Sequence, residues 1–150
     1  MGVRYTVFDP GTAYTAARSV LEVTADTVHV LRLLRAHITQ ESLTTDDRVR
    51  ARILRKTAAG TGTSRTPLAL DASGGTFGGT ARSNMTAEGT PSDVLWQEGF
   101  SILTGFFWTA TDPDEIIIGP GGIIALDIDA PAASTTFNAL MEFEVLGALT

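Results

Sequence analysis

Three arginines stand at alternate positions, Arg48, Arg50 and Arg52, and two later carboxylate pairs repeat the spacing, Asp127 with Asp129 and Glu142 with Glu144. In an extended strand alternate side chains leave by one face, so each set forms a short ladder of like charge. A guanidinium donates in a planar fork that matches a carboxylate, which makes an arginine ladder a specific partner for an acidic one. Paired carboxylates are also what glycoside hydrolysis requires. Here each pair is an i, i+2 set on the outward side of a strand, which describes a solvated or intersubunit face better than a catalytic cleft. These seven residues are candidates for an interface between subunits or with a partner. Cross-strand pairing inside one subunit is the equal alternative.

Other chemistry is sparse. The two histidines, His29 and His37, lie eight residues apart with no His-x-His partner, so no metal site is expected from them. The absence of Cys excludes disulfides, thiolate metal sites and cysteine nucleophiles. No Gly-x-Ser-x-Gly elbow occurs: Ser73 precedes a glycine pair and Ser101 follows an aromatic residue. The glycines Gly60, Gly62, Gly74, Gly75, Gly78 and Gly79 match no phosphate-binding loop and open no helix, so they read as flexible loops. Asp112, Asp114 and Glu115 gather oxygen ligands in a turn but lack the spacing of an EF-hand. The expectation is a protein with no catalytic residues, no metal and no cofactor, and no enzymatic activity.

The charge is unevenly distributed. Residues 1–65 carry ten of the eleven basic residues and six acids, a net +4; residues 66–150 carry one base, Arg82, and eleven acids, a net −10. The total of −6 argues against nucleic acid as a partner, because phosphate contacts want a basic footprint. The asymmetry suits two parts that pair, within a subunit or between subunits. No apolar run is long enough for a signal peptide or a membrane span: the longest, 116–126, is split by Gly119-Pro120-Gly121-Gly122.

The dominant hydrophobic period is two, the signature of strands. Val49, Ala51 and Ile53 alternate with the arginines. Ile124, Leu126 and Ile128 oppose Asp127 and Asp129, and Met141, Phe143 and Val145 oppose Glu142 and Glu144. Strands are predicted over 5–8, 17–25, 27–40, 47–57, 68–71, 81–88 (a polar edge), 94–108, 115–118, 123–129 and 136–146, with loops at 58–64 and 72–80. The aromatic residues Phe100, Phe106, Phe107 and Trp108 read as core, while Trp96, near the Pro91 turn, is a candidate for a loop. Short strands joined by Gly, Pro and Thr turns, with no helix, make an all-β sandwich or barrel. Residues 1–14 are Thr-, Ala- and Gly-containing and read as an N-terminal arm, with Arg4, Tyr5 and Phe8 as its contact residues, followed by one domain over 15–150.

The layout of Phe106-Phe107-Trp108, then Ile116-Ile117-Ile118-Gly119-Pro120-Gly121-Gly122-Ile123-Ile124-Ala125-Leu126, an Ala-rich loop and a last strand ending Met141-Glu142-Phe143-Glu144 resembles the small single jelly-roll proteins that decorate tailed-bacteriophage heads. The arginine-alternating strand 47–56, Gly60-Thr61-Gly62-Thr63 and Thr66-Pro67 extend that resemblance over roughly 18–146. It is one of layout, shared by other eight-stranded jelly rolls, including trimeric tumour-necrosis-factor-like heads. It implies a jelly-roll β-sandwich of about eight to nine antiparallel strands. It also implies a homotrimeric capsid decoration or cement protein, made in the host cytoplasm, that binds the major capsid protein on the virion surface and stabilises the particle. It implies no membrane and no direct nucleic acid. The alternative is a trimeric receptor- or glycan-binding head of a phage fibre, which would be expected beside a repetitive stalk.

Overall fold

The computed structural model describes residues 2–42, 46–112 and 115–148. These residues form twelve strands and no helix. Ten ranges were expected as strands; two strands are added and one is shortened. The apolar run 94–108 breaks into two strands because Ser101 to Gly105 turn, with Gly105 at φ 80°, a left-handed conformation that glycine adopts without strain. The Gly/Thr stretch after Ala58 becomes a strand instead of a loop. The predicted strand 68–71 narrows to two residues.

In chain order the strands are β1 Val3–Tyr14, β2 Arg18–Thr24, β3 His29–Gln40, β4 Arg48–Ala58, β5 Thr61–Arg65, β6 Leu68–Ala69, β7 Thr80–Ala87, β8 Thr90–Ser101, β9 Phe106–Thr109, β10 Ile116–Ile118, β11 Ile123–Ile128 and β12 Thr135–Ala148. One sheet, sheet A, runs β10-β3-β12-β1-β6, with β9 joining β3 beside β10. The second, sheet B, runs β5-β7-β2-β11-β4-β8. Every pairing is antiparallel. β7, expected at an edge, lies inside sheet B because β5 covers it.

The two sheets close over one core, and the period-two pattern dictates which side chains enter it. Val49, Ala51 and Ile53 of β4 are buried, as are Leu21 and Val23 of β2 and Ile124, Leu126 and Ile128 of β11. From sheet A come Tyr5 and Val7, Leu31, Leu33, Ala36 and Ile38, and Phe137, Ala139, Met141 and Phe143. Phe100, Phe106 and Trp108 are buried as expected, but Phe107, between two of them, is 59% exposed. Each fully buried large apolar side chain contributes about 1.5–3 kcal/mol relative to exposure.

The N-terminal arm is a correction. Residues 3–14 run as β1 through the interior of sheet A, with β12 on one side and β6 on the other. Tyr5 packs its ring 5.4 Å from Phe77 and 5.9 Å from Phe143, and its hydroxyl donates to the Gly74 carbonyl at 3.0 Å. The strand expected over 5–8 is part of this longer one, in which Tyr5 and Val7 face the core while Arg4, Thr6 and Phe8 face outward.

A further feature shapes sheet B. β4 passes into β5, and β7 into β8, as two neighbouring chains: Ala58 lies opposite Thr90 and Thr61 opposite Ala87. Two residues between β4 and β5 are too few to go round the sheet across several strand spacings of about 4.8 Å. The ribbon therefore crosses the outer face of β11 and β2. Gly60 and Gly89 make that crossing close, since a Cβ on Gly89 would stand 1.9 Å from the Ala58 carbonyl oxygen and one on Gly60 2.4 Å from Met85 Cε. Under the ribbon, residues on the outward side of sheet B are buried: Leu54, Ala125, Ile123 and Met85.

Candidate functional site

The arginine and carboxylate ladders meet within one chain, at some positions and not at others. Arg52 and Asp127 lie directly opposite each other on β4 and β11. The guanidinium forks onto the carboxylate, Nε to Oδ1 at 2.8 Å and a terminal nitrogen to Oδ2 at 2.9 Å. That hydrogen bonding raises the Arg52 pKa above its ordinary value despite burial. Asp129 uses its carboxylate on backbone, accepting from the Arg50 N–H at 2.7 Å. Arg48 and Arg50 are exposed, and neither forms an ion pair among the described residues. Glu142 and Glu144 lie on sheet A, on the opposite side of the sandwich, and meet other arginines. Glu142 faces Arg35 at 3.5 Å, and Glu144 pairs with Arg32, which also holds Glu115 at 3.0 Å. Burial pushes the Glu144 carboxyl up, but Arg32 and the Gly2 N–H at 3.0 Å outweigh it and hold it below the usual carboxylate range.

Outward side chains of sheet A fall into rows across the strands. Phe8, Leu140, His37 and Phe107 stand in register on β1, β12, β3 and β9. Phe8 is 50% exposed, and Phe107 meets the His37 ring edge-on at 5.0 Å. A groove of about 460 Å³ runs between Phe8, His37 and Leu140. Burial, then the nearby Arg35 charge, lower the His37 pKa and favour the neutral ring. The next row is Leu68, Thr6, Glu142, Arg35 and Thr109; the one beyond holds Arg4, Glu144, Arg32 and Ile117. On this face Arg4, Arg32 and Arg35 balance Glu115, Glu142 and Glu144, so it is close to neutral on a chain of net −6. Of the expected arm residues, Arg4 and Phe8 belong to this face and Tyr5 to the core.

Sheet B carries a cluster that the sequence reading missed. Lys56, the only lysine of the chain, donates to Glu22 at 2.8 Å and to Glu88 at 3.1 Å beneath the ribbon. Lys56 and Glu22 are 2% and 1% exposed. Glu22 also accepts from the Gly60 N–H at 3.2 Å and lies 3.8 Å from Arg82. Burial raises the Glu88 carboxyl, but the Ser19 N–H and hydroxyl, at 2.8 and 2.7 Å, and Lys56 outweigh it, so its pKa is lowered. Two cations and two carboxylates neutralise one another here, and the lysine spends its protons on them, which makes the cluster structural. Its signal in sequence was a position: Lys56 continues the even-numbered arginine series on a strand assumed to be bare outside.

The remaining candidates stay apart. The His29 Nδ1–H donates to the carboxylate of Asp26, its neighbour in the same turn, at 2.7 Å, while His37 lies in the sheet A row. The described residues contain no group of three His, Cys, Asp or Glu able to hold a metal, and no helix long and apolar enough to cross a membrane. Of the acidic turn, Asp114 lies outside the described residues and Glu115 pairs with Arg32. Ser73 caps a turn on Asp71, and Ser101 bonds Asp46. Trp96, 39% exposed, lies on β8 and not in a loop, with Trp108 at 6.5 Å across a 280 Å³ groove bordered by Arg55 and Glu115. In comparison with known proteins, no family model, no curated protein and no solved structure matches this chain.

Proposed function

We propose that the protein is a structural virion component, a capsid decoration or cement protein that associates as a homotrimer on the outer surface of a capsid. The observation that carries this reading is the outward row Phe8, Leu140, His37 and Phe107, an open apolar stripe on a neutral face of an otherwise acidic chain. A face without net charge is where copies of a −6 chain approach at least electrostatic cost, and an aromatic row supplies apolar area to bury. We also propose that the sandwich is a jelly roll. In its support, strands pair as in one long hairpin rolled up: β1 with β12, β2 with β11, β3 with β9 and β10, and β4 with β8. That fold recurs in viral capsid and lectin domains.

Light scattering on a sizing column tests the association. The expected mass is three times the 15.8 kDa of one chain, reduced to monomer in Phe8→Ser/Phe107→Ser; a wild-type monomer at high micromolar concentration overturns it. Sedimentation with bare phage capsids tests the capsid role. A receptor- or glycan-binding fibre head is the second reading, favoured by the groove between Trp96 and Trp108. It expects Trp fluorescence to change on titration with sugars.

A further inference from the structure

Four of the five sheet margins are short: β5 has five residues, β6 two, β9 four and β10 three, whereas β8, the remaining margin, has twelve. β8 pairs with β4 alone. Bulges interrupt that pairing toward Thr90, but from Trp96 to Ser101 the register against Ile53 to Arg48 is unbroken. In an antiparallel ladder, alternate N–H and C=O groups of an edge strand point away from its neighbour, ready to pair with another chain. Most natural edges are blunted by brevity, bulges, proline or lysine; this stretch has none of these.

The outward side of this edge carries a distinct charge pattern. Opposite Arg48, Arg50 and Arg52 stand Ser101, Gly99 and Gln97, none of them acidic. Arg52 is held by Asp127, but Arg48 and Arg50 are exposed without an ion pair among the described residues. At Gly99 a Cβ would meet nothing within 4 Å, so no β8 side chain stands between Arg50 and the next strand position. We propose that the free edge of β8 is a docking site for an extended, acidic strand of a partner protein, added antiparallel or parallel to Trp96–Ser101. Main-chain hydrogen bonds give its affinity; carboxylates at alternate positions, aligned with Arg48 and Arg50, give its specificity. A second copy fits less well. The outward residues between Trp96 and Ser101 include no carboxylate, and Glu98 lies on the other side, accepting from the Trp96 indole at 3.4 Å. The inference deepens the docking role proposed above by naming the partner's chemistry, and it rests on a different surface from the apolar row.

Capped heptapeptides alternating Val with Glu, or Val with Lys, serve as probes against the full chain. Backbone amide shifts are recorded by NMR at millimolar peptide. The Glu peptide is expected to shift the amides of Trp96–Ser101, to bind at least about tenfold more tightly than the Lys peptide at low salt, and to lose that margin at high salt. Arg50→Glu, at an exposed site whose side chain has no ion-pair partner, is expected to reverse the preference while the thermal midpoint stays within a few degrees. Three results overturn the proposal: equal binding of both peptides, shifts confined to β5 or β6, or no shift at all. A fourth is protection of the β8 amides in the free protein that grows with its concentration, which assigns the edge to a second copy. The solution mass, measured separately, tells a failure of this inference from a failure of the trimer reading.

Discussion

The two outer faces of the sandwich are built from the same alternation and end in opposite states. On sheet A the outward residues stay open: Phe8 and Phe107 are half or more exposed, and Arg35 is 54% exposed beside Glu142. On sheet B the β4–β5 and β7–β8 passages fold over the outward residues, and Lys56 with Glu22 vanishes beneath them. The same kind of cross-strand ion pair is therefore a screened surface contact on one face and a desolvated structural pair on the other. A charge ladder in a sequence does not say which; what covers the strand does. The covered face is fastened by charge, and the open face keeps its apolar side chains exposed.

The comparison presupposes both sheets, and removing residues 1–14 is expected to abolish it. Without β1 the backbone edges of β12 and β6 lose their hydrogen-bonded neighbour and Phe143 loses Tyr5. The truncated chain should show no cooperative thermal transition by circular dichroism; a sharp one would restore the arm reading. Next in size, Lys56→Met should cost about 3–5 kcal/mol in urea unfolding, because it leaves Glu22 charged and buried. Lys56→Met/Glu22→Leu should recover most of that loss. Arg35→Ala on the open face should cost about 1 kcal/mol or less. Equal costs for Lys56→Met and Arg35→Ala would erase the distinction.

Acid should act on both faces, with the sign set by the direction of each shift. The folded carboxyls of Glu88 and Glu144 titrate below the 4.5 of a free side chain. Between the two values the unfolded chain binds more protons, so their stabilisation is complete above pH 4.5 and disappears as pH falls through the folded values. Glu88→Gln should flatten that part of the curve of thermal midpoint against pH. His37, also lowered, adds a loss that begins below pH 6.5, its ordinary value. The smallest effect on stability is expected from Phe8→Ser and Phe107→Ser, within about 0.5 kcal/mol of wild type, although both should lower the association measured by light scattering. A large loss of stability would mean that the row supports the fold.

Much of the architecture was legible from residue order. Val49, Ala51 and Ile53 against three arginines could hardly be other than a half-buried strand, and the structure buries those three. The ribbon was not legible. Its Gly60 and Gly62 looked like loop residues, because the close approach that requires them comes from segments distant in sequence. Nor were the partners of the charges: Glu142 and Glu144 were grouped with Asp127 and Asp129 by spacing, yet the two pairs lie on opposite sheets.

By itself the sequence determined an all-β chain, the inward faces of its main strands and the positions of its charges, because period-two burial is a local property of the extended backbone. Tertiary structure alone decided which charge meets which, which face is covered and which edge is left free. Those depend on strand order and on the path of one ribbon, which arise from contacts between residues far apart in the chain, where no local pattern records them.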